Sequence, residues 1–190
     1  MIPSLILNAA NIALVTGCLI WGIRVSDPVR KLFRYFTMLS NLLSAAASVV
    51  VVIAWLCGGL PVWVQLLKFA GTAAVTVTML TVLLLLAPLS HEWKDFFAGA
   101  QFLMHLICPL LAIVSFLVFE KTRPMTAWAI AVGVAPVALY GILYWYKVIF
   151  VSEERKWPDI YSFTRIGKWP LICLLMLSGT ALISLALWLI

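Results

Sequence analysis

Phe102-Leu-Met-His-Leu-Ile-Cys-Pro-Leu-Leu-Ala-Ile-Val-Ser-Phe-Leu-Val-Phe119 decides the fold. An α-helix needs about 20 mostly apolar residues to cross a bilayer, and this run with its flanks has them. Five further runs of the same kind lie about it, so that the spans fall at about 3–23, 32–57, 62–88, 98–119, 125–149 and 169–190. The chain is 65% hydrophobic, its mean hydropathy is +1.12, and only 11% of its residues are charged. A water-soluble domain of 190 residues requires far more polar surface. The expected architecture is all-α, a polytopic bundle of six transmembrane helices forming one integral membrane domain over 1–190.

No basic residue precedes the first run, which therefore reads as a spanning helix and not as a secretory signal. The net charge of +6 is placed where a membrane protein wants it. Arg24, Arg30, Lys31 and Arg34 border the first connection, Lys94 the third, and Lys147, Arg155, Lys156, Arg165 and Lys168 the fifth. Only Lys121 and Arg123 border the other side. Loops rich in Lys and Arg stay cytoplasmic, which predicts a multi-pass protein of the cell membrane with both termini extracytoplasmic. The basic loops then face anionic headgroups, so the expected partners are membrane lipids and not nucleic acid. Most of the tryptophans fall at segment ends, as an interfacial belt requires. Cys18, Cys57, Cys108 and Cys173 sit in or at the ends of apolar runs, form no CxxC pair and read as buried thiols, not as a disulfide or metal set.

Within this apolar frame His105 stands out, because an ionisable residue in hydrocarbon is expensive and marks a functional site by default. A second polar cluster opens the second helix. Thr37, Ser40 and Asn41 are spaced i, i+3, i+4 and share one helix face, which should turn toward protein or water. Thr37 lies roughly 7 Å past the basic start of its helix and His105 roughly 10 Å past the start of its own, at 1.5 Å per residue. Both helices enter from the same side, so the two residues can meet if the helices face each other.

A hydroxyl beside an imidazole is the minimum for nucleophilic attack on a carbonyl, with the ring accepting and then returning the proton. Pro109, four residues after His105, removes an N–H from the ladder and should free the His105 carbonyl and open a polar space. Gln101, one turn before His105, shares its face. Ser40 and Asn41 are candidate oxyanion donors, and Asn11 and Tyr144 candidate pocket lining. The other polar residues, including Asn8, Thr72, Thr76, Thr78, Thr81 and Tyr140, read as interhelical hydrogen bonds. His91 and His105 stand on different elements with no carboxylate cluster, so neither a metal nor an organic cofactor is implied.

Arg34-Tyr-Phe-Thr-Met-Leu-Ser-Asn41, Thr76-Val-Thr-Met-Leu-Thr81, Leu84-Leu-Leu-Ala-Pro88 and Leu103-Met-His-Leu-Ile-Cys-Pro-Leu-Leu111 resemble a bacterial six-helix family. That family looks related to the animal androgen-induced protein and androgen-dependent TFPI-regulating protein, intramembrane threonine hydrolases that cleave fatty acid esters of hydroxy fatty acids. The resemblance implies Thr37 as nucleophile, His105 as the essential histidine, and a lipid ester as substrate. The stretch Glu153-Glu-Arg-Lys-Trp-Pro-Asp-Ile-Tyr-Ser-Phe163 departs from the family by being longer and more charged. Arg155, Lys156 and Arg165 in and beside it are expected either to hold anionic lipid or a substrate carboxylate or to serve only as positive-inside signals. The rival expectation is a non-catalytic small transporter or lipid-binding protein using the same polar cavity. A transporter needs a polar path toward the outer face, and the outer halves of the helices read as too apolar for one.

Overall fold

The computed structural model describes residues 1–26, 28–91, 93–159 and 169–190. Among them the chain is helical and without strands, and six helices are long and apolar enough to cross a membrane: α1 Ile2–Val25, α2 Phe36–Leu56, α3 Val62–Ser90, α4 Gly99–Glu120, α5 Ala129–Ile149 and α6 Trp169–Leu189. The fold is an all-α bundle of a multi-pass membrane protein. Its ends are named here for their connections: the basic end carries the α1–α2 and α3–α4 connections, the opposite end the α2–α3 and α4–α5 connections.

Helix starts differ from expectation in two places. The second apolar run begins as a 3-10 helix, Val29–Arg34, entered from Pro28, and Tyr35 is extended before α2 starts at Phe36. No residue of Val29–Arg34 is fully buried, and Leu32 packs beside Cys18, Met38 and Met104. The fifth run starts at Ala129 and not near 125. Met125 lies before the helix, with its carbonyl accepting from Trp188 Nε1 of α6 at 2.8 Å. Pro136 lies inside α5, which continues through it.

The bundle is organised around α3. Two-thirds (67%) of its spanning window is buried inside the protein, against 17–39% for the other five. In a membrane the helices gain nothing by hiding from water, so close approach through small residues and interhelical hydrogen bonds must hold them. The centre of α3, Phe69-Ala-Gly-Thr-Ala-Ala-Val-Thr-Val-Thr78, supplies both. A β-carbon added at Gly71 would lie 3.1 Å from Ser44 Cα, which marks how closely α3 meets α2. At Gly133 of α5 a β-carbon would lie 2.5 Å from Ser184 Oγ and 2.8 Å from Phe69 Cε1, the equivalent approach of α5 to α6 and α3.

Two turns of the bundle are widened to π-helical geometry, Val82–Leu86 in α3 and Leu103–Ile107 in α4. Each is followed at the same offset by a proline, Pro88 and Pro109. A proline ring clashes with the carbonyl four residues back. Shifting the ladder by one residue relieves that clash, and in α4 the Cys108 N–H accordingly reaches Leu103 O. Such widened turns are frequent at functional sites. A third, Phe116–Glu120, ends α4 and carries Glu120 into the interior.

Candidate functional site

His105 sits on the widened turn of α4 and is 5% exposed. Its ring is fixed on both sides. Nδ1 lies 2.9 Å from the carbonyl oxygen of Phe96, in the short helix Trp93–Phe96 between α3 and α4. A carbonyl can only accept, so Nδ1 is the nitrogen that carries the hydrogen, and a neutral ring then presents a bare Nε2. That Nε2 lies 3.4 Å from Thr37 Oγ1, and the threonine hydroxyl is the donor to it. The distance is long for such a bond.

Asn41 locks the two helices together at this level. Its Nδ2 donates to Thr37 O at 2.8 Å and to Met104 O at 3.1 Å. In the widened register of α4 the carbonyl that would face Pro109 belongs to Met104, five residues back, because proline has no N–H to give. The sequence-based expectation assigned the freed carbonyl to His105; the π-helical turn moves it by one residue, and Asn41 satisfies it. Ser40 Oγ lies 3.1 Å from Thr37 O and 2.8 Å from Thr78 Oγ1, which ties α2 to α3. Asn41 Nδ2 therefore serves two backbone carbonyls and Ser40 faces Thr78, an arrangement that positions Thr37 and does not present oxyanion donors.

Thr37 and His105 open on a cavity of about 560 Å³ at the basic end. Its polar lining comes from Ser26, Lys31, Asp95 and Gln101, its apolar wall in part from Val82 and Leu86 on the widened turn of α3. Gln101 is the one proposed supporting residue that lines this cavity. Asn11 does not reach it: its Nδ2 bonds to Ser44 Oγ and Ser48 Oγ, each at 3.1 Å, farther along α2. Tyr144 is also elsewhere, with its hydroxyl 3.2 Å from Pro158 O and 3.4 Å from Asp159 Oδ1. Spacing along a helix gave their faces but not which neighbour each face meets. Of the basic residues expected at the mouth, Arg155 is exposed, Lys156 pairs with Glu153 at 2.5 Å, and Arg165 lies outside the described residues. The lysine that lines the cavity is Lys31.

The opposite half of the bundle is not apolar inside, contrary to expectation. Lys68 of α3 and Glu120 of α4 face each other at 3.6 Å with both side chains 0% exposed. Lys68 Nζ donates to Asn8 Oδ1 at 2.7 Å and to Ser48 Oγ at 3.0 Å. Glu120 Oε1 accepts from Ser4 Oγ at 2.8 Å, and also from Asn8 Nδ2 and Ser115 Oγ. Charges in hydrocarbon must be paired, and here four helices supply the partners. The sequence signal was present: a lysine inside one apolar run, a glutamate at the end of another, and asparagines three residues apart in a third.

Compared with protein-family models, with curated proteins and with solved structures, the chain matches none.

Proposed function

We propose that the protein is an intramembrane hydrolase of a lipid ester, with Thr37 as nucleophile and His105 as base. The observation that carries this is the oriented pair itself: Thr37 Oγ1 at 3.4 Å from an Nε2 whose ring is anchored through Nδ1 on Phe96 O, at the wall of a cavity. Thr37 Oγ1 forms a bond to the ester carbonyl carbon as its proton passes to Nε2. The bond from that carbon to the alcohol oxygen then breaks, and His105 returns the proton to the departing alcohol. Water attacks the acylated threonine through the same nitrogen, which releases the acid and restores Thr37. Fatty acid esters of hydroxy fatty acids are the substrate class that the family resemblance implies. The distribution of basic residues supports a location in the cell membrane with the termini outside and this cavity on the cytoplasmic side.

Labelling with an alkyl fluorophosphonate, mapped by mass spectrometry, tests the assignment. The adduct is expected on Thr37 and is lost in folded Thr37→Ala and His105→Ala proteins. Full labelling and full hydrolysis by folded Thr37→Ala protein would end it.

One observation favours a second reading, a small proton-coupled transporter. The Lys68–Glu120 network puts titratable groups in the half of the bundle that His105 does not reach, and intramembrane pairs of this kind mark ion pathways. Purified protein in liposomes separates the two. Proton flux that depends on Glu120, without ester hydrolysis, supports transport; hydrolysis without flux supports the enzyme.

A further inference from the structure

Thr37 lines a polar cavity and also a narrow space that borders an apolar one. The polar cavity is the one of about 560 Å³ with Lys31, Asp95 and Gln101 in its wall. The apolar one, about 300 Å³, lies between α5 and α6 and is lined almost wholly by apolar and aromatic groups, with Gly141, Trp145, Trp169 and Cys173 at its sides. The narrow space of about 40 Å³ lies between them. It shares Thr37, Val82 and Leu86 with the polar cavity, and Val137, Tyr140 and Met176 with the apolar one. Tyr140 is fixed in this neck by its hydroxyl, which donates to Arg34 O at 2.8 Å.

The position of His105 gives the two sides different roles. His105 lines the polar cavity but neither the neck nor the apolar cavity. The proton that Nε2 takes from Thr37 must go to the departing oxygen, so that oxygen has to lie on the histidine side of the ester carbon. The acyl carbon's other substituent then points the opposite way, into the neck. We propose that the α5–α6 cavity is the acyl-chain site of the enzyme: a single unbranched hydrocarbon chain threads past Val137, Tyr140 and Met176, while the alcohol half of the ester occupies the polar cavity and leaves through it. This rests on the hydrolase reading above and adds to it which half of the substrate each cavity holds. A cavity of about 300 Å³ has room for an alkyl chain, so filling it should make the rate depend on acyl length.

Gly141 supplies the test, because it lines the cavity and a β-carbon there meets nothing within 4 Å. Gly141→Phe and wild type are compared on the palmitoyl and butyryl esters of p-nitrophenol. The variant is expected to lose at least about ten-fold in kcat/KM on the palmitoyl ester relative to the butyryl ester, the scale on which filled apolar pockets discriminate. A second measurement needs no variant. A long-chain alkyl fluorophosphonate on Thr37 should shield Cys173 from N-ethylmaleimide, a short-chain one should not, and exposed Cys57 should react equally in both. If the variant loses both esters together through misfolding, the Cys173 protection decides. Thr37-dependent hydrolysis with unchanged chain preference and no protection overturns the acyl-site assignment alone. Absence of any Thr37-dependent hydrolysis overturns the hydrolase reading and the assignment with it.

Discussion

Asn41 Nδ2 on α2 donates to the carbonyl of Met104 on α4 at 3.1 Å, the carbonyl that Pro109 leaves without a ladder partner. The same amide holds Thr37 O at 2.8 Å, so one side chain sets the height of the nucleophile's helix against that of the histidine's. Replacing it by Leu keeps the volume and strands Met104 O in the interior, at a cost of about 1–3 kcal/mol. Asn41→Leu should therefore melt earlier, and its residual activity should fall in kcat more than it rises in KM. Unchanged kcat in a folded variant would mean that Asn41 does not position Thr37.

Lys68 and Glu120 form a buried pair whose members each depend on the other. Removing one leaves an uncompensated charge and costs about 3–5 kcal/mol. Lys68→Met and Glu120→Gln are each expected to lower thermal stability in detergent sharply. The double variant Lys68→Met/Glu120→Leu should recover only part of the loss, because Ser4, Asn8 and Ser115 still lose their acceptor. Single variants as stable as wild type would show the pair to be energetically idle.

Thr37 and His105 should behave as a unit. Each alanine variant is expected to abolish esterase activity, and the double variant should be hardly worse than either. Thr37→Ser keeps the hydroxyl and should keep part of the rate. Partial losses that add, following stability, would instead mark a packing contact.

Gly133 and Gly141 lie on the same helix in opposite surroundings. A β-carbon at Gly133 collides with Ser184 and Phe69, and Gly133→Ala should cost about 1–3 kcal/mol through overpacking. Gly141→Ala meets open space and should stabilise by up to about 1 kcal/mol through helix propensity. Melting temperatures of the two variants check the sign of each.

Cys57, expected from the sequence to be buried, is exposed because it caps the end of α2 opposite the basic loops, and it reports orientation without engineering. A membrane-impermeant maleimide should label it in intact cells, and Cys57→Ser should remove that signal. In the Cys57→Ser background, Glu154→Cys in the connection after α5 should react only once the membrane is opened. Labelling in the reverse order would invert the topology and move the cavity to the outer face.

Six spanning helices could be read from the chain because that reading needs only local information: an apolar run of sufficient length has one stable form in hydrocarbon, whatever its neighbours. Local chemistry also marked His105, the Thr37-Ser40-Asn41 face and the disturbance at Pro109. What it could not fix was which face meets which helix, since lipid tails are as apolar as the helices and pattern alone does not choose a partner. Tertiary packing around α3 therefore decided the rest. It brought Thr37 to His105 and turned Asn41 from an oxyanion candidate into a brace. It also sent Asn11 and Tyr144 to other neighbours. Lys68 and Glu120 are 52 residues apart in the chain, and only the meeting of α3 with α4 makes them a pair. Burial of a charge is a property of the assembled bundle, because its cost is met by partners that different helices contribute.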